Sequence, residues 1–286
     1  METVALRGNP IAWIRRRLIA KGLLAHNGVD VTSYNSQRYY LAPFPAFKGT
    51  PYVADNLATV NTSTFRFEPS FLSAHEAAKS RWKDGGPGRD VAWRLHVAIF
   101  AARLGLAQAN AGDCFLELGT GRGFMAAGIC QALGQDGFSS RGVTFFLMDS
   151  FDPSWQGENA SAWRTGAISG SEGDRPWYYA DGPDEVAAYF ASVSAVRVIQ
   201  GRLPETLALT GHSTVAFAHV DLNSAHSEEE SLEAMRPRLR RGSVLLFDDS
   251  TNPGCDAQLD VHRRFAASVG SQLLELPTGQ SLLVCQ

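Results

Sequence analysis

The feature that most constrains the fold of this chain is a series of short apolar runs that alternate with stretches of helical pattern. The runs cover residues 114–118, 143–148, 196–200, 215–222 and 244–247. Nearly every position in them is apolar, and many are β-branched or aromatic, which is the pattern of strands buried on both faces of a sheet. We therefore predict an α/β fold with a mostly parallel sheet and helices on both of its faces.

Predicted helices separate these strands, over residues 123–133, 184–192, 228–239 and 257–269. Ser227 is the predicted N-cap of the third helix, because acidic residues follow it in the first turn. Two further strands, over residues 271–276 and 280–285, flank a Pro-Thr-Gly turn. This pattern predicts a closing hairpin at the end of the sheet.

Two long segments do not follow the alternation. Residues 1–110 combine helical patterns near 10–24, 70–82 and 91–106 with an aromatic stretch that has no sustained period. Residues 150–183 carry several Trp and Tyr residues among Gly, Ser and Asp. We predict that residues 1–110 form an N-terminal helical and irregular cap on a main domain over residues 111–286. Within that domain, residues 150–183 are the predicted lid.

Composition and charge exclude several classes of protein. The chain has 286 residues and a formal net charge of −3, so it has no general basic field for nucleic acid or an anionic membrane. No apolar run approaches the roughly 18 residues of a membrane-spanning helix. Arg15, Arg16, Arg17 and Lys21 interrupt the N-terminal apolar stretch, which is unlike a secretory signal. The four cysteines have no metal-type or disulfide-type spacing, so we expect reduced thiols in a cytoplasmic protein.

A glycine-rich loop follows the first strand of the main domain. It reads Gly-Thr-Gly-Arg-Gly over residues 119–123, with Glu117 two residues before its first glycine. Glycines there let the backbone turn sharply and let a ligand approach closely. A dinucleotide fingerprint needs a third small residue where this chain has Phe124, so the loop suits a ligand without a pyrophosphate. The next strand ends at Asp149, and an acid in that place can accept hydrogen bonds from both hydroxyls of a ribose.

In these residues the chain resembles the class I S-adenosylmethionine-dependent methyltransferases. The resemblance implies a Rossmann-like, seven-stranded sheet whose last strand is antiparallel, and S-adenosylmethionine as the cofactor of the domain over residues 111–286. The cofactor-binding residues that it implies are Glu117, Gly119, Thr120, Gly121, Gly123, Asp149, Ser150, Gln200 and Gly201. The adenine would lie near residues 200–202. In the alternative interpretation, the glycines make only a tight turn and Asp149 caps a helix.

Further motifs narrow the resemblance. Residues 149–151, 184–186, 198–207 and 221–223 and the pair Asp248-Asp249 are similar to the macrocin O-methyltransferase family of sugar-methylating enzymes. This similarity extends over residues 113–286. Two other segments, Trp-Arg-Leu-His-Val at 93–97 and Leu-Pro-Thr-Gly-Gln at 276–280, resemble a branch of related bacterial methyltransferases.

The closer resemblance implies a metal site formed by Asp221, Asp248 and Asp249. These residues follow two strands that we expect to be neighbours, and the carboxyl ends of parallel strands meet at one edge of a sheet. Three uncompensated carboxylates repel one another, and a hard divalent cation such as Mg²⁺ relieves that repulsion. The family often reads Asp-Gly-Asp where this chain has Asp-Leu-Asn at 221–223. Alternatively, Asp221 faces the methionine end of the cofactor and Asp248 or Asp249 caps a helix.

The expected reaction is methyl transfer to a hydroxyl oxygen. A hydroxyl bound to Mg²⁺ has a lowered pKa, and a second hydroxyl on the same ion would fix its orientation. We therefore expect a small acceptor with vicinal oxygens, such as a sugar, a glycoside or a catechol-like compound. The predicted catalytic residues are Asp221 and Asp248, with His226 as general base. His219 lies inside a predicted strand, where we expect it to be packed.

Several alternatives remain open at the level of sequence. The chain could be an NAD(P)-dependent oxidoreductase on a related dinucleotide fold, although Phe124 disfavours this interpretation. It could also be a non-catalytic nucleotide-binding module, which would have no need of the three carboxylates. Thr278 and Gln280 either contact substrate or belong to an ordinary turn. An apolar helix over residues 10–24 would suit the interface of a homo-oligomer.

Overall fold

The computed structural model describes residues 52–55, 57–59, 61, 63–82, 90–152, 180–211 and 213–286. The chain divides into two compact units, one formed by residues 1–64 and 88–91 and the other by residues 65–87 and 92–286. In the smaller unit, β1 (Tyr52–Ala54) and β2 (Leu57–Thr59) form an antiparallel ribbon. The predicted helix over 10–24 and most of the predicted lid lie outside the described residues.

The larger unit contains helices and strands in the predicted alternation. Its described α-helices are α1 (Pro69–Lys79), α2 (Ala92–Gln108), α3 (Phe124–Arg141), α4 (Pro183–Tyr189), α5 (Ala225–Met235) and α6 (Asp256–Ser268). Its strands are β3 (Cys114–Leu118), β4 (Thr144–Asp149), β5 (Val196–Gln200), β6 (Val215–Val220), β7 (Val244–Phe247), β8 (Leu273–Glu275) and β9 (Ser281–Val284). None of the described helices is both long and apolar enough to cross a membrane.

The seven strands of the larger unit form one sheet in the order β5-β4-β3-β6-β7-β9-β8. Strands β3 to β7 are parallel, and β9 is antiparallel to both of its neighbours. The predicted α/β fold, with its final antiparallel strand, is therefore confirmed. Leu118 pairs with Met148 on one side and Val220 on the other, so the carboxyl ends of β3, β4 and β6 lie level at one edge.

Helices cover both faces of the sheet. On one face, α2 packs against β6 and β7, and α3 packs against α1 and α2. On the other face, α5 packs against α6. Successive residues of β3 point into different cores, because Phe115 belongs to the core beneath α1 to α3 and Leu116 to the core beneath α5 and α6. Helices α1 and α2, which we assigned to the N-terminal cap, thus lie in the same compact unit as the sheet.

Two helix boundaries differ from the sequence-based expectation for identifiable reasons. Helix α5 begins at Ala225, because Ser224 is the N-cap and its hydroxyl accepts a hydrogen bond from the amide of Ser227. The prediction that Ser227 caps this helix was wrong. Helix α3 extends to Arg141, beyond the predicted end at Leu133. Gly134 has a non-helical conformation (φ 68°, ψ 163°), so α3 consists of two helical segments joined at this glycine.

The packing of α2 on β6 depends on a glycine and can be tested. A Cβ atom at Gly105 would lie 2.8 Å from Cβ of Phe217 and 2.9 Å from the carbonyl oxygen of Ala216. We expect Gly105→Ala to lower the free energy of unfolding by about 1–3 kcal/mol, because the helix must move away from the strand. Urea titration followed by circular dichroism measures this quantity.

Gly137→Ala in α3 is the matched control for that experiment. Its new Cβ would be in ordinary contact, 3.6 Å from Cδ2 of Leu106. Alanine is favoured over glycine inside a helix by up to about 1 kcal/mol, so this variant should be as stable as the wild type or more so. Equal stability of Gly105→Ala and the wild type would contradict the close helix–strand packing.

Candidate active site

The glycine loop passes directly against the end of β6. Gly119 has φ +87°, and a Cβ at this position would lie 1.9 Å from the carbonyl oxygen of Asp221. The amide of Asp221 in turn donates a hydrogen bond to the carbonyl of Leu118 at 2.8 Å. Only glycine combines that backbone conformation with so close an approach. The loop after β3 and the acidic residue after β6 therefore lie side by side.

Asp149 holds the glycine loop to the end of β4. Its Oδ2 accepts a hydrogen bond from the amide of Gly121 at 2.7 Å, and its Oδ1 accepts one from the amide of Phe151 at 2.8 Å. The end of β5 is tied to the same place, because the amide of Gly201 donates to the carbonyl of Asp149 at 2.9 Å. Gln200 also lies here, since its Nε2 is 3.5 Å from the carbonyl oxygen of Ser150.

The loop itself is closed by backbone hydrogen bonds. The amide of Thr120 donates to the carbonyl of Met148 at 3.2 Å, and the amide of Gly123 donates to the carbonyl of Thr120 at 2.8 Å. Gly123 is the N-cap of α3 and has a left-handed conformation. The structure thus brings together the predicted cofactor residues from the ends of three neighbouring strands.

Arg122 connects this loop to the surrounding helices. Its Nε donates to the carbonyl of Arg81 at 2.8 Å, and Nε of Arg81 donates to the carbonyl of Arg122 at the same distance. Both guanidinium groups contact Oε1 of Glu185 in α4, at 2.5 Å from Arg122 and 3.1 Å from Arg81. These contacts hold the glycine loop to α4 and to the segment that follows α1.

Glu117 and His219 form a buried pair beneath the loop. Both are almost fully buried, and Nδ1 of His219 lies 3.5 Å from Oε1 of Glu117. On its other side, Nε2 of His219 lies 3.6 Å from Oδ1 of Asp248. Burial raises the pKa of Glu117. Burial opposes the charged form of His219, but Asp248 and Glu117 outweigh it and raise the pKa of His219 to about 10.

Three aspartates meet at the carboxyl edge beyond this pair. Asp221 follows β6, whereas Asp248 and Asp249 follow β7, and one carboxylate oxygen from each lies within 4.8 Å of the others. Oxygen atoms at this spacing form the kind of donor set that Mg²⁺ prefers. Asn223, which has φ 54°, donates from Nδ2 to Oδ1 of Asp221 at 2.9 Å. Asp221, Asp248 and Asp249 therefore fit a divalent cation.

The carboxylates of β7 also have partners from distant parts of the chain. Nη1 of Arg94 lies 2.6 Å from Oδ2 of Asp248 and 3.4 Å from Oδ1 of Asp249. Gln280 donates from Nε2 to Oδ1 of Asp248 at 3.0 Å. Asn252 donates from Nδ2 to Oδ1 of Asp249 at 2.5 Å. The hydrogen bonds and ion pairs of Asp248 and Asp249 thus come from α2, β6, the closing hairpin and the loop after β7.

The three aspartates differ in pKa because their neighbours differ. Burial and the negative charges of Asp248 and Asp249 raise the pKa of Asp221 well above its ordinary value. Burial and the charge of Asp248 raise the pKa of Asp249 to about 6. Although burial acts in the same direction on Asp248, Arg94 and His219 hold its pKa well below the usual range. Asp248 is therefore the firmly ionised member of the cluster.

A second buried network supports this cluster from the side of α5 and α6. Nε2 of His262 lies 2.7 Å from Oε2 of Glu228, and Nδ1 of His262 lies 2.7 Å from Oγ of Ser250. Oε1 of Glu228 accepts hydrogen bonds from the amide of Leu222 at 3.3 Å and from Nε2 of Gln258 at 3.1 Å. The segments that carry the aspartates are thereby anchored to both helices.

The structure does not group His226, the predicted general base, with the aspartates. Because α5 begins one residue before it, His226 lies on the first turn with a side chain that is 65% exposed. Its Nε2 is 3.5 Å from Oε2 of Glu230, one turn further along the same helix. The histidine that contacts the cluster is His219, which we expected to be packed in a strand.

Sequence reasoning gave no role in the site to Arg94 or His219, and it left Gln280 open. Arg94 and Gln280 lie in the two short motifs, at 93–97 and 276–280, that resemble a branch of methyltransferases. Those motifs were the available signal, since Arg94 and Gln280 both contact Asp248. Thr278 contacts its neighbour, because its Oγ1 donates to Oε1 of Gln280 at 3.1 Å.

Comparisons with known proteins agree with this fold. Residues 116–250 match a family model described as a methyltransferase domain. The calicheamicin methyltransferase CalS11 is 21% identical with a TM-score of 0.51, and the alignment covers 67% of this chain and 78% of that chain. The O-methyltransferase NovP is 19% identical with a TM-score of 0.50, covering 67% and 78%. These two likenesses concern the fold alone. No curated protein sequence matches the chain.

The matched segment extends from β3 to the loop after β7. It begins within β3, includes the glycine loop and Asp149, and ends at Ser250, just beyond the three aspartates. The family model favours a methyltransferase over the oxidoreductase and the non-catalytic module that the sequence left open. Residues 116–250 are therefore identified as a methyltransferase domain, within a unit that has the fold of CalS11 and NovP.

Proposed function

We propose that the chain transfers the methyl group of S-adenosylmethionine to a hydroxyl oxygen of a small molecule with vicinal oxygens, such as a sugar, a glycoside or a catechol-like compound. The observation that carries this proposal is the cluster of Asp221, Asp248 and Asp249 beside the glycine loop. Transfer from a sulfonium requires an acceptor that is held in line and deprotonated, and carboxylates at this edge serve both needs. NovP, which is named as an O-methyltransferase, has the same fold.

The cofactor half of the proposal assigns a part to each strand end. Asp149 would accept hydrogen bonds from the ribose, the glycine loop would lie along the methionine part, and Gln200 and Gly201 would border the adenine. Gly119 brings the loop against the backbone of Asp221, so a cofactor held by the loop would lie beside the acidic cluster. Oε2 of Glu117 is buried and has no hydrogen-bond partner among the described residues, so it can accept one from a bound molecule.

The metal half of the proposal assigns Asp221, Asp248 and Asp249 as ligands of a divalent cation such as Mg²⁺. Such an ion, when bound, lowers the pKa of a hydroxyl group that it contacts. Asp221 has a raised pKa and makes no ion pair with Arg94 like those of Asp248 and Asp249. Because Asp221 lies beside the cofactor loop, where the acceptor hydroxyl must meet the methyl group, we assign Asp221 as the base for that hydroxyl.

Substitution separates Asp221 from His226, the base expected from the sequence. We expect Asp221→Asn to lower kcat by about 10²–10⁴-fold, because an amide cannot accept the proton. His226→Ala should retain kcat within about twofold, since its side chain is exposed on α5. The measurement is transfer of labelled methyl to an accepted substrate. The opposite pattern would assign the base to His226.

The acceptor class is tested with labelled S-adenosylmethionine and a panel of nucleotide sugars, glycosides and catechols, each with Mg²⁺ or with EDTA. We expect label only on compounds with vicinal oxygens and a loss of transfer in EDTA. Monomethylated analogues, in which one of the two oxygens is blocked, are the matched controls. Full activity in EDTA would refute the metal half, and transfer to an amine alone would refute O-methylation.

The pKa of Asp249 leads to a pH dependence of metal binding. Because this pKa is raised to about 6, Asp249 is ionised at pH 7.5 and protonated at pH 5. Protons then compete with the cation, and we expect the affinity for Mn²⁺ to fall about tenfold between these two pH values. Isothermal titration calorimetry at each pH measures the change. An affinity that is constant over this range would show that Asp249 is not a ligand.

Binding of S-adenosylhomocysteine tests the cofactor half separately. We expect Asp149→Ala to weaken it at least about tenfold, because the loop loses the acceptor for Gly121 and the ligand loses a carboxylate. Asp136→Ala, at an exposed position of α3, removes the same group away from the site and is the control. Equal affinities of the two variants would contradict the assignment of Asp149.

The remaining predictions concern the surroundings of the site. We keep as proposals the N-terminal cap over residues 1–110, the lid over residues 150–183 and a homo-oligomer. All four cysteines are free and buried, which agrees with the proposed cytoplasmic location. We propose no nucleic-acid or membrane partner.

A further inference from the structure

The carboxylate cluster already contains a cation that belongs to the chain. Arg94 is buried at the start of α2, and its Nη1 lies 2.6 Å from Oδ2 of Asp248 and 3.4 Å from Oδ1 of Asp249. The same nitrogen donates to the carbonyl of Asp248 at 3.2 Å. A guanidinium group therefore contacts two of the three carboxylates that the proposed metal would use.

The surroundings of Arg94 are shaped to receive its guanidinium. Nη2 of Arg94 donates to Oδ1 of Asn252 at 3.3 Å. A Cβ at Gly279 would lie 2.1 Å from that same oxygen and 3.2 Å from Nη2 of Arg94, so a side chain there would collide with the pair. Gln280, the next residue, occupies the other carboxylate oxygen of Asp248. The motif at 276–280 and Asn252 thus surround the guanidinium that the motif at 93–97 supplies.

The net charge of the cluster favours the binding of a divalent cation, whereas the charge of Arg94 opposes it. The three carboxylates and the guanidinium of Arg94 carry a formal charge of −2, which a protonated His219 beside Asp248 reduces to −1, so a divalent ion still meets a negative site. That ion and the guanidinium repel each other when they share Asp248 and Asp249. Because the contact with Asp249 is the longer of the two, it is the one that an entering ion would break first.

We propose that Arg94 is an internal competitor of the divalent cation, and that it keeps the metal affinity of the cluster low while stabilising the aspartates when no metal is bound. This inference rests on the metal half of the proposed function. It assigns Arg94 as a positioning residue that acts through Asp248 and Asp249, with no part in the chemistry of methyl transfer.

Mn²⁺ titration of the full-length chain by calorimetry tests the proposal without any acceptor. We expect Arg94→Met and Arg94→Gln to bind Mn²⁺ at least tenfold more tightly than the wild type, because the competing charge is gone. Arg94→Lys retains a positive charge and should stay within threefold of the wild type. Arg240→Met removes an arginine paired with Asp113, before β3 and thus at the opposite edge of the sheet, and should change nothing.

Thermal unfolding supplies a second measurement. In EDTA the two neutral variants should unfold at lower temperature than the wild type, because the three buried carboxylates then repel one another without the guanidinium of Arg94. Saturating Mn²⁺ should raise their unfolding temperature by more than it raises that of the wild type. This comparison also shows whether each variant is folded before its affinity is interpreted.

The outcomes separate this inference from the proposed function. If the wild type binds Mn²⁺ and the neutral variants bind it no more tightly, or more weakly, Arg94 is not a competitor and the metal site stands. If neither the wild type nor any variant binds Mn²⁺ at millimolar concentration, both the metal site and the role of Arg94 are wrong. Tightening in Arg94→Lys equal to that in Arg94→Met would also refute competition by charge.

Discussion

The segment that leaves β3 passes so close to the end of β6 that Gly119 has no space for a side chain. This contact joins the loop that would hold the cofactor to the residue that would meet the acceptor, because the backbone oxygen against Gly119 belongs to Asp221. The parallel pairing of β3 with β6 sets the register. Methyl transfer needs the sulfonium and the nucleophile in line, and a rigid backbone contact provides that more reliably than side chains alone.

The charges around the three aspartates give them different tendencies to ionise, although they lie close together. Asp248 is held ionised by Arg94 and has His219 on its other side, whereas Asp221 has an amide as its nearest partner. Burial penalises every charge that lacks a counterion. The cluster therefore contains one fixed anion and one carboxylate that gains most from a proton or a cation. That asymmetry follows from which elements border each aspartate, since β6 and β7 supply the acids and α2 supplies the guanidinium.

The fold followed from the sequence because its signals are local and repeated. Buried strands in this sheet are continuous apolar runs, and the glycine loop marks the first of them. The cofactor loop and the acids after β6 and β7 could be placed for the same reason. The contact of Arg94 and Gln280 with Asp248 could not be placed, because these residues lie far apart in the sequence and meet only through tertiary packing. His226 was predicted to be the base because it closely follows Asp221 in the sequence. In the structure, the helix that begins after the N-cap Ser224 carries His226 on its first turn, where the side chain is exposed.

The network of Glu228, His262 and Ser250 explains how so many charges can remain buried beside the sheet. Glu228 accepts hydrogen bonds from the backbone after β6, and Ser250 follows Asp249 directly, so α5 and α6 hold both acidic segments through one carboxylate and one imidazole. Their buried side-chain atoms are paired, which removes the usual penalty for polar groups in a core. The acidic segments are thus anchored to α5 and α6 by hydrogen bonds, and Arg94 of α2 contacts the carboxylates of Asp248 and Asp249. Entry of a cation at Asp248 and Asp249 then requires their contacts with Arg94, Gln280 and Asn252 to change.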